Sequence, residues 1–391
     1  MSVAGNSTPL TVIVNASTIV KGGGIQVAAS FIAETLRNDS SICWHYCVSS
    51  EVLRELTALG ADLPSHHLFE QTPSRSRNQR RRLERLEDTL APDAVFTVFG
   101  PAYVRFKSAH LCGVAAGWVT HSSRLAYRAL PGWLSRFRRF SLCVYKGLWL
   151  RSADRWVVEA TNAKAGMIRR VGVDESTVAV VPNTCAALFR ETPTDNATPP
   201  QHGDTVRLLY VAAWYPHKNL ELIPAVAAEL QRIDGNLSYE FCITLPESEP
   251  ALGQIRDKAK RLGVEANIVN AGPVSLAEAL KLYREASICF MPSLLETFSA
   301  NYPEAMATGR PIVTSDLDFA HAACGDAAVY FKPDNAQSAA SAIRDLANDP
   351  TRWQKQVAKG TARLSQLPDA RDRHDQYVQL IREMVAKNRT K

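Results

Sequence analysis

Ile288-Cys289-Phe290-Met291-Pro292-Ser293-Leu294-Leu295-Glu296-Thr297-Phe298-Ser299-Ala300-Asn301-Tyr302-Pro303-Glu304-Ala305-Met306-Ala307-Thr308-Gly309-Arg310-Pro311 passes from a strand, through a short loop, into a helix. Its first four residues are a continuous apolar run, as expected of a parallel strand covered on both faces. The helix is expected to start near Ser299. Pro303 suits its early turns, where a backbone N–H has no partner to lose, and Gly309 is placed to end it. Free N–H groups at such a start favour a phosphate. Glu296 stands just before the helix and Glu304, eight residues on, within it. Two carboxylates so placed can flank a ligand whose phosphates lie on the helix start. Each carboxylate hydrogen bond to a sugar hydroxyl contributes about 1.5–3 kcal/mol in a dry site. The spacing alone equally fits a capped surface helix with two solvated glutamates.

Strands alternate with helices on both sides of this stretch, in two series. Strand-like runs occupy 10–14, 42–48, 94–99, 111–115, 156–158 and 178–181, then 208–212, 241–245, 268–270, 288–291, 312–314 and 329–331. Ile25, Ala28, Ala29, Ile32 and Leu36 recur at helical spacing after the loop 15–24. Ser275 and Glu278 form a capping box ahead of Leu276, Ala279, Leu280 and Tyr283. Between the series, 190–205 is polar and carries Pro193, Pro199, Pro200 and Gly203, the composition of a linker. With 391 residues the chain exceeds one comfortable core, which stops growing at about 250–300 residues. The expectation is therefore an α/β chain of two doubly wound, Rossmann-like domains facing a central cleft. Their bounds are 1–190, a linker 191–205, 206–370, and a closing helix over 371–391 that can pack back on the first domain.

Together, Pro292, Ser293, Glu296, Phe298, Glu304, Ala305, Met306, Gly309, Pro311 and Ile312 resemble the donor-binding signature of retaining GT-B glycosyltransferases, especially glycosyltransferase family 4. The resemblance covers the second domain well and the first loosely. It implies the GT-B fold, with Glu296 contacting the transferred sugar and Glu304 the ribose hydroxyls of a nucleotide. Thr297, Phe298, Ser299 and Ala300 would line the donor between them. The family has Gly where Ser299 stands, so a side chain here alters the approach of the phosphate or donates to it.

A second stretch, Tyr210-Val211-Ala212-Ala213-Trp214-Tyr215-Pro216-His217-Lys218-Asn219-Leu220, closes the first strand of the second series. Its Lys-Asn-Leu ending resembles the family loop whose lysine neutralises the donor diphosphate, which makes Lys218 the candidate cation. The family's Gly-Arg pair is Ala212-Ala213 here, so one of two cations is missing; His217 is a candidate helper. The loop Lys21-Gly22-Gly23-Gly24 lets backbone approach an anion, with Gly23 and Gly24 as donor-binding candidates. It fails the dinucleotide fingerprint, because Val27 stands where Gly or Ala is needed. His121, after Gly117-Trp118-Val119-Thr120, resembles a family histidine near the reacting sugar carbon; a capping or packing histidine is the other reading. Asn183 in Val181-Pro182-Asn183 resembles a turn at the interdomain crossing and reads as a hinge. Gly272, in Ala271-Gly272-Pro273, lies in a loop that bears on the nucleotide base.

Charge is uneven. Residues 1–190 hold 23 Lys and Arg against 14 Asp and Glu, the remainder 22 against 25, and no acid occurs between Ala94 and Ala153. A basic half suits an anionic partner. Arg75, Arg77, Arg80, Arg81, Arg82 and Arg85 come without a nucleic-acid-binding motif, so no nucleic acid is expected. The stretch 133–149 mixes aromatic and aliphatic residues with Arg136, Arg138, Arg139 and Lys146, as in a helix lying on an anionic bilayer; a core-packed helix with basic exposed residues is the other reading. The eight cysteines lack metal spacing and read as reduced thiols. Residues 1–9 lack the marks of a signal peptide, and no apolar run has the roughly 20 residues needed to span a bilayer. The expected location is cytoplasmic, including the inner face of the cell membrane.

The function these readings imply is transfer of a sugar, with retention, from a nucleotide diphosphate sugar to a hydroxyl of a saccharide or lipid-linked, anionic acceptor in surface polysaccharide or glycolipid synthesis. No cofactor and no metal is expected, since no Asp-x-Asp pair appears. A nucleotide-sugar 2-epimerase, a non-catalytic glycan-binding protein and a nicotinamide-dependent oxidoreductase remain as alternatives, the last disfavoured by the failed glycine fingerprint.

Overall fold

The computed structural model describes residues 9–38, 41–63, 65–192 and 197–389. Most of the unprocessed start expected at 1–9, and Pro193 of the expected linker, lie outside them. The chain forms two compact units.

The first unit comprises Met1–Thr120, Arg139–Asn183 and Pro368–Lys391. Its strands are β1 (Leu10–Ala16), β2 (Ile42–Ser49), β3 (His66–Phe69), β4 (Ala94–Thr97), β5 (Ala109–Val114), β6 (Arg155–Val158) and β7 (Val178–Val180). All pair in parallel, in the order β3-β2-β1-β4-β5-β6-β7. The central strands are buried along nearly their whole length because their side chains are apolar on both faces. Edge strand β3 escapes a search for apolar runs, since it reads His-His-Leu-Phe and is only half-buried. The helix Gly24–Asn38 and the closing helix Ala370–Arg389 meet over this sheet. Phe31 and Phe96 hold Tyr377 at ring distances of 5.7 and 5.2 Å, and Ile381 and Met384 complete the cluster. Arg373, buried, donates to the side chains of Asn183 and Ser30. Asn183 is thus tied to the closing helix.

The second unit comprises His121–Arg138 and Thr184–Leu367. Its strands are β8 (Val206–Tyr210), β9 (Tyr239–Ile243), β10 (Ile268–Asn270), β11 (Ile288–Met291), β12 (Ile312–Ser315) and β13 (Ala328–Phe331), parallel in the order β10-β9-β8-β11-β12-β13. Phe241, Phe290 and Phe331 pack in series across the sheet at 5.6 and 5.5 Å. The capping box forms: Ser275 N–H donates to Glu278 at 2.7 Å, and Glu278 N–H to the Ser275 hydroxyl at 3.3 Å. The unit's longer segment starts at Thr184, where Cys185 and Phe189 bury their side chains in the core, Phe189 edge-on to Tyr283 at 5.5 Å; His121–Arg138, expected within the domain 1–190, belongs to the unit as well.

Both sheets reverse their strand order beside their first strand, between β1 and β4 and between β8 and β11. Ligands of doubly wound sheets bind at the carboxyl ends of strands at such a reversal.

Candidate functional site

In the second unit the reversal point is formed by the loops that follow β8 and β11. The first ends in a single turn, Pro216–Lys218, closed by Asn219 in the left-handed region at φ 56°. The second is Pro292 to Ala300. Leu294 N–H donates to the His217 carbonyl at 2.7 Å and locks the loops together. This brings Lys218 Nζ to 2.6 Å from Glu296 Oε1, with the two side chains only 14% and 11% exposed. Ser293 Oγ donates to the same carboxylate oxygen at 2.8 Å. The Tyr210 hydroxyl, whose only route is then to donate, lies 2.6 Å from Ser293 Oγ. Both donors reach Oε1, so the carboxylate is held by one edge.

Burial alone penalises both charges of this pair. For Lys218 the fields of Glu296 and Tyr210 outweigh it and raise the ammonium pKa. For Glu296 the burial is likewise outweighed, by Lys218 and His217, and its pKa is lowered. The pair is ionised, in a setting where charge interactions are stronger than in water.

Glu304 sits in the wholly buried helix Asn301–Ala307, which begins two residues after the expected start. Its Oε2 accepts from the Tyr283 hydroxyl at 2.9 Å. Tyr283 in turn accepts from Asn301 Nδ2 at 2.9 Å, and the same nitrogen donates to the Val211 carbonyl at 2.6 Å. Burial pushes the Glu304 carboxyl up to about 7, despite the opposing Tyr283 hydrogen bond and the Lys218 field. Lys218 therefore acts on both carboxylates. At neutral pH Glu296 is charged and Glu304 is poised between its two forms.

The residues between them divide. Thr297 and Ala300 are partly exposed, whereas Phe298 packs into the core. Ser299 is buried and its hydroxyl donates to Asn301 Oδ1 at 2.9 Å, which braces the loop. His121 follows the short helix Gly117–Thr120, and its Nε2–H donates to the backbone carbonyl of Glu296 at 2.5 Å. It holds the loop that carries the carboxylate. Ala213, where the family cation is missing, is exposed.

The remaining candidates lie outside the loops that follow β8 and β11. Gly23 and Gly24 lie in the first unit, at the reversal point of its own sheet, where Thr18 Oγ1 donates to the Phe99 carbonyl at 3.1 Å. Gly24 opens its helix, and a Cβ there would come within 3.2 Å of the Phe99 ring; at Gly23 a Cβ would meet nothing within 4 Å. Gly272 is left-handed at φ 75°, after β10, two strands from β8. Among the described residues no group of three or more His, Cys, Asp or Glu side chains is placed to hold a metal. Within the basic run, Arg80 lies 5.7 Å from the Tyr103 ring and Arg82 4.6 Å from the Phe69 ring, so two of its arginines serve packing.

Tyr210, Tyr283, Ser293 and Asn301, which orient the two carboxylates, were not site candidates from sequence. Tyr283 read as part of an apolar helix stripe. The Pro-Ser pair ahead of Glu296 was the one available signal for Ser293.

Residues 205–349 match the family described as Glycosyl transferases group 1. The chain is 28% identical over 233 residues to a D-inositol 3-phosphate glycosyltransferase of Kineococcus radiotolerans, covering 55% of this chain and 54% of that protein. It is 27% identical over 170 residues to the O-antigen chain mannosyltransferase RfbU of Salmonella typhimurium, covering 44% and 41%. The matches thus span about half the length of these relatives, or less. In fold, the chain is similar to a glycosyltransferase from Rickettsia africae, with a TM-score of 0.73 at 14% identity over 97% of this chain and 99% of the other. It is also similar to the Anabaena protein Alr3699/HepE crystallised with UDP and glucose, with a TM-score of 0.69 at 14% identity over 94% and 98%. The two doubly wound sheets are those of the GT-B fold.

Proposed function

We propose, from the group 1 glycosyltransferase domain that the chain carries over residues 205–349, that it moves a sugar from a nucleotide diphosphate sugar to a hydroxyl of a saccharide or lipid-linked saccharide, with retention of configuration. The observation that carries this reading is the buried Lys218–Glu296 pair at the reversal point of the second sheet, with Glu304 within reach of the same Lys218 field.

The pair is a counterion arrangement awaiting a substitution. When the donor enters, its diphosphate takes over from Glu296 as partner of the Lys218 ammonium. Glu296, held through Oε1 by Ser293, turns its carboxylate to the hydroxyls of the transferred sugar. Glu304, ionised, accepts from the ribose hydroxyls. In the reaction the bond from the anomeric carbon to the diphosphate oxygen breaks, and negative charge grows on the diphosphate where Lys218 meets it. The acceptor oxygen bonds the anomeric carbon from the same face, and its proton passes to the departing phosphate oxygen. The products are a nucleoside diphosphate and a glycoside. A fixed ammonium in a buried site supplies the leaving-group stabilisation, so the scheme uses no metal. The stretch from Ala94 to Ala153, which holds no acid and contributes residues to both units, suits an anionic acceptor.

A thermal-shift screen across nucleoside diphosphates and their sugars tests this reading, followed by turnover with and without saccharide acceptors. Stabilisation by a nucleotide sugar, and release of nucleoside diphosphate that depends on acceptor, are expected. Binding to none of them sinks the proposal. Isomerisation of the donor without acceptor replaces it with an epimerase, and donor binding without any turnover with a glycan-binding protein.

A further inference from the structure

The helix Gly132–Leu150 is unlike every other long helix of the chain. Of its 19 residues only Leu150 is buried. A helix that rests on a protein core hides an apolar stripe; this one displays it. Trp133, Phe137, Phe140, Val144 and Leu148 recur at intervals of four, three, four and four, which places them along one side. They are 72, 63, 58, 49 and 58% exposed. At about 100° per residue, Arg136 projects about 80° to one side of that stripe's centre and Arg138 about 120° to the other, from where a long side chain reaches back toward the stripe. Arg136 reaches back to the carbonyls of Leu130 and Arg128, at 3.3 Å each, and remains exposed.

Exposed apolar surface of this size calls for a cover, and charge identifies it. No acid occurs between Ala94 and Ala153, so a second copy of this helix would set arginine against arginine with no carboxylate to pair them. A nucleic acid would satisfy the arginines and leave the aromatic side chains in water. An anionic bilayer satisfies both, since apolar side chains enter the boundary of headgroups and acyl chains while guanidinium groups meet lipid phosphates. The helix is about 28 Å long, enough to lie along the surface. No helix among the described residues is long and apolar enough to cross a membrane.

We propose that the helix Gly132–Leu150 docks the protein flat on an anionic lipid bilayer, with Trp133, Phe137, Phe140, Val144 and Leu148 inserted at the interface and Arg136 and Arg138 on lipid phosphates. The inference stands apart from the glycosyl-transfer reading, because lipid binding is measured without turnover.

Co-sedimentation of the full chain with vesicles of phosphatidylcholine containing roughly 30% phosphatidylglycerol tests it. Binding is expected to fall roughly tenfold on neutral vesicles and again at high salt. Trp133→Ser/Phe137→Ser is expected to lose roughly tenfold in partition with an unchanged melting temperature, as the two side chains are exposed. Arg136→Gln/Arg138→Gln is expected to lose most of the preference for anionic vesicles. Wild-type protein left in the supernatant with anionic vesicles overturns the proposal, as does binding that Trp133→Ser/Phe137→Ser leaves unchanged. A wild-type dimer in sedimentation velocity that this variant breaks, without vesicle binding, assigns the stripe to a second copy instead.

Discussion

Removing Lys218 should be costly for folding as well as for donor binding, and the two costs come from the same buried contact. In Lys218→Met the Glu296 carboxylate keeps Ser293 but loses the ammonium at 2.6 Å. Breaking one partner out of a buried pair leaves an uncompensated charge, at about 3–5 kcal/mol. For a unit of this size that is a fall of roughly 10 °C in its melting transition. The cost depends on pH in a defined direction. In the wild type the Glu296 pKa is lowered, so its pairing contributes stability above the ordinary carboxylate range and loses it as pH falls through the folded-state value. In Lys218→Met burial is opposed only by His217 and the Ser293 hydrogen bond, so the carboxyl pKa rises from its wild-type value and the variant accepts a proton more readily in acid. The gap between wild type and variant is therefore widest near neutral pH, narrows in acid, and closes as pH falls through the lowered folded-state value of the wild-type Glu296. Glu296→Gln in the Lys218→Met background removes the stranded charge and should restore about 2 kcal/mol. Urea unfolding of the four proteins of this cycle across pH is the assay. Equal midpoints at pH 7, or a double variant no more stable than Lys218→Met, would refute the account of the pair.

Nucleotide affinity should rise with pH across Glu304 ionisation, since only the carboxylate accepts from both ribose hydroxyls and burial has pushed this group up to about 7. The same shift makes the native state hold a proton that the unfolded chain has released, so stability declines as pH rises from the ordinary carboxylate range through about 7. Tyr283→Phe deletes the hydrogen bond that favours the ionised form and should move the binding midpoint to higher pH; calorimetric titration with nucleoside diphosphates from about pH 6 to 8 reads both effects, and a flat profile contradicts them. His121→Ala should lower kcat by roughly ten- to a hundredfold while leaving nucleoside diphosphate affinity intact, because His121 holds the loop of Glu296, the carboxylate assigned to the sugar, through its backbone carbonyl. A matching loss in nucleotide affinity would instead place His121 on the phosphates.

Much of the fold was legible because its central strands are apolar on both faces, as with Ile288–Met291 and Ala94–Thr97. The edge strand His66–Phe69 was not, since one exposed flank tolerates histidine. Proline and glycine mark 190–205 as a linker by composition, whereas the burial of Cys185 and Phe189 in the second core is a tertiary fact without a local signal. At the site, Lys218 and Glu296 were found separately, 78 residues apart; their contact follows from β8 lying beside β11. Tyr283 was hidden by its ring, which satisfies a helix stripe while its hydroxyl serves Glu304. Ser299 stands where the family has glycine, and the hydrogen bond of its hydroxyl to Asn301 Oδ1 has no signal in the sequence.

The proposed function has one buried site divide the donor between two carboxylates, with Glu304 on the nucleotide and Glu296 on the sugar. Calorimetric titration of wild type, Glu304→Ala and Glu296→Ala with a nucleoside diphosphate, and then with the nucleotide sugar that binds, tests it most directly. Glu304→Ala should weaken both ligands about equally, by roughly tenfold or more. Glu296→Ala should bind the nucleoside diphosphate at least as well as wild type, because Lys218 is freed for it, and lose the added affinity that the sugar confers. Equal and negligible losses in the two variants, or a nucleoside diphosphate weakened as much by Glu296→Ala as by Glu304→Ala, would contradict the account.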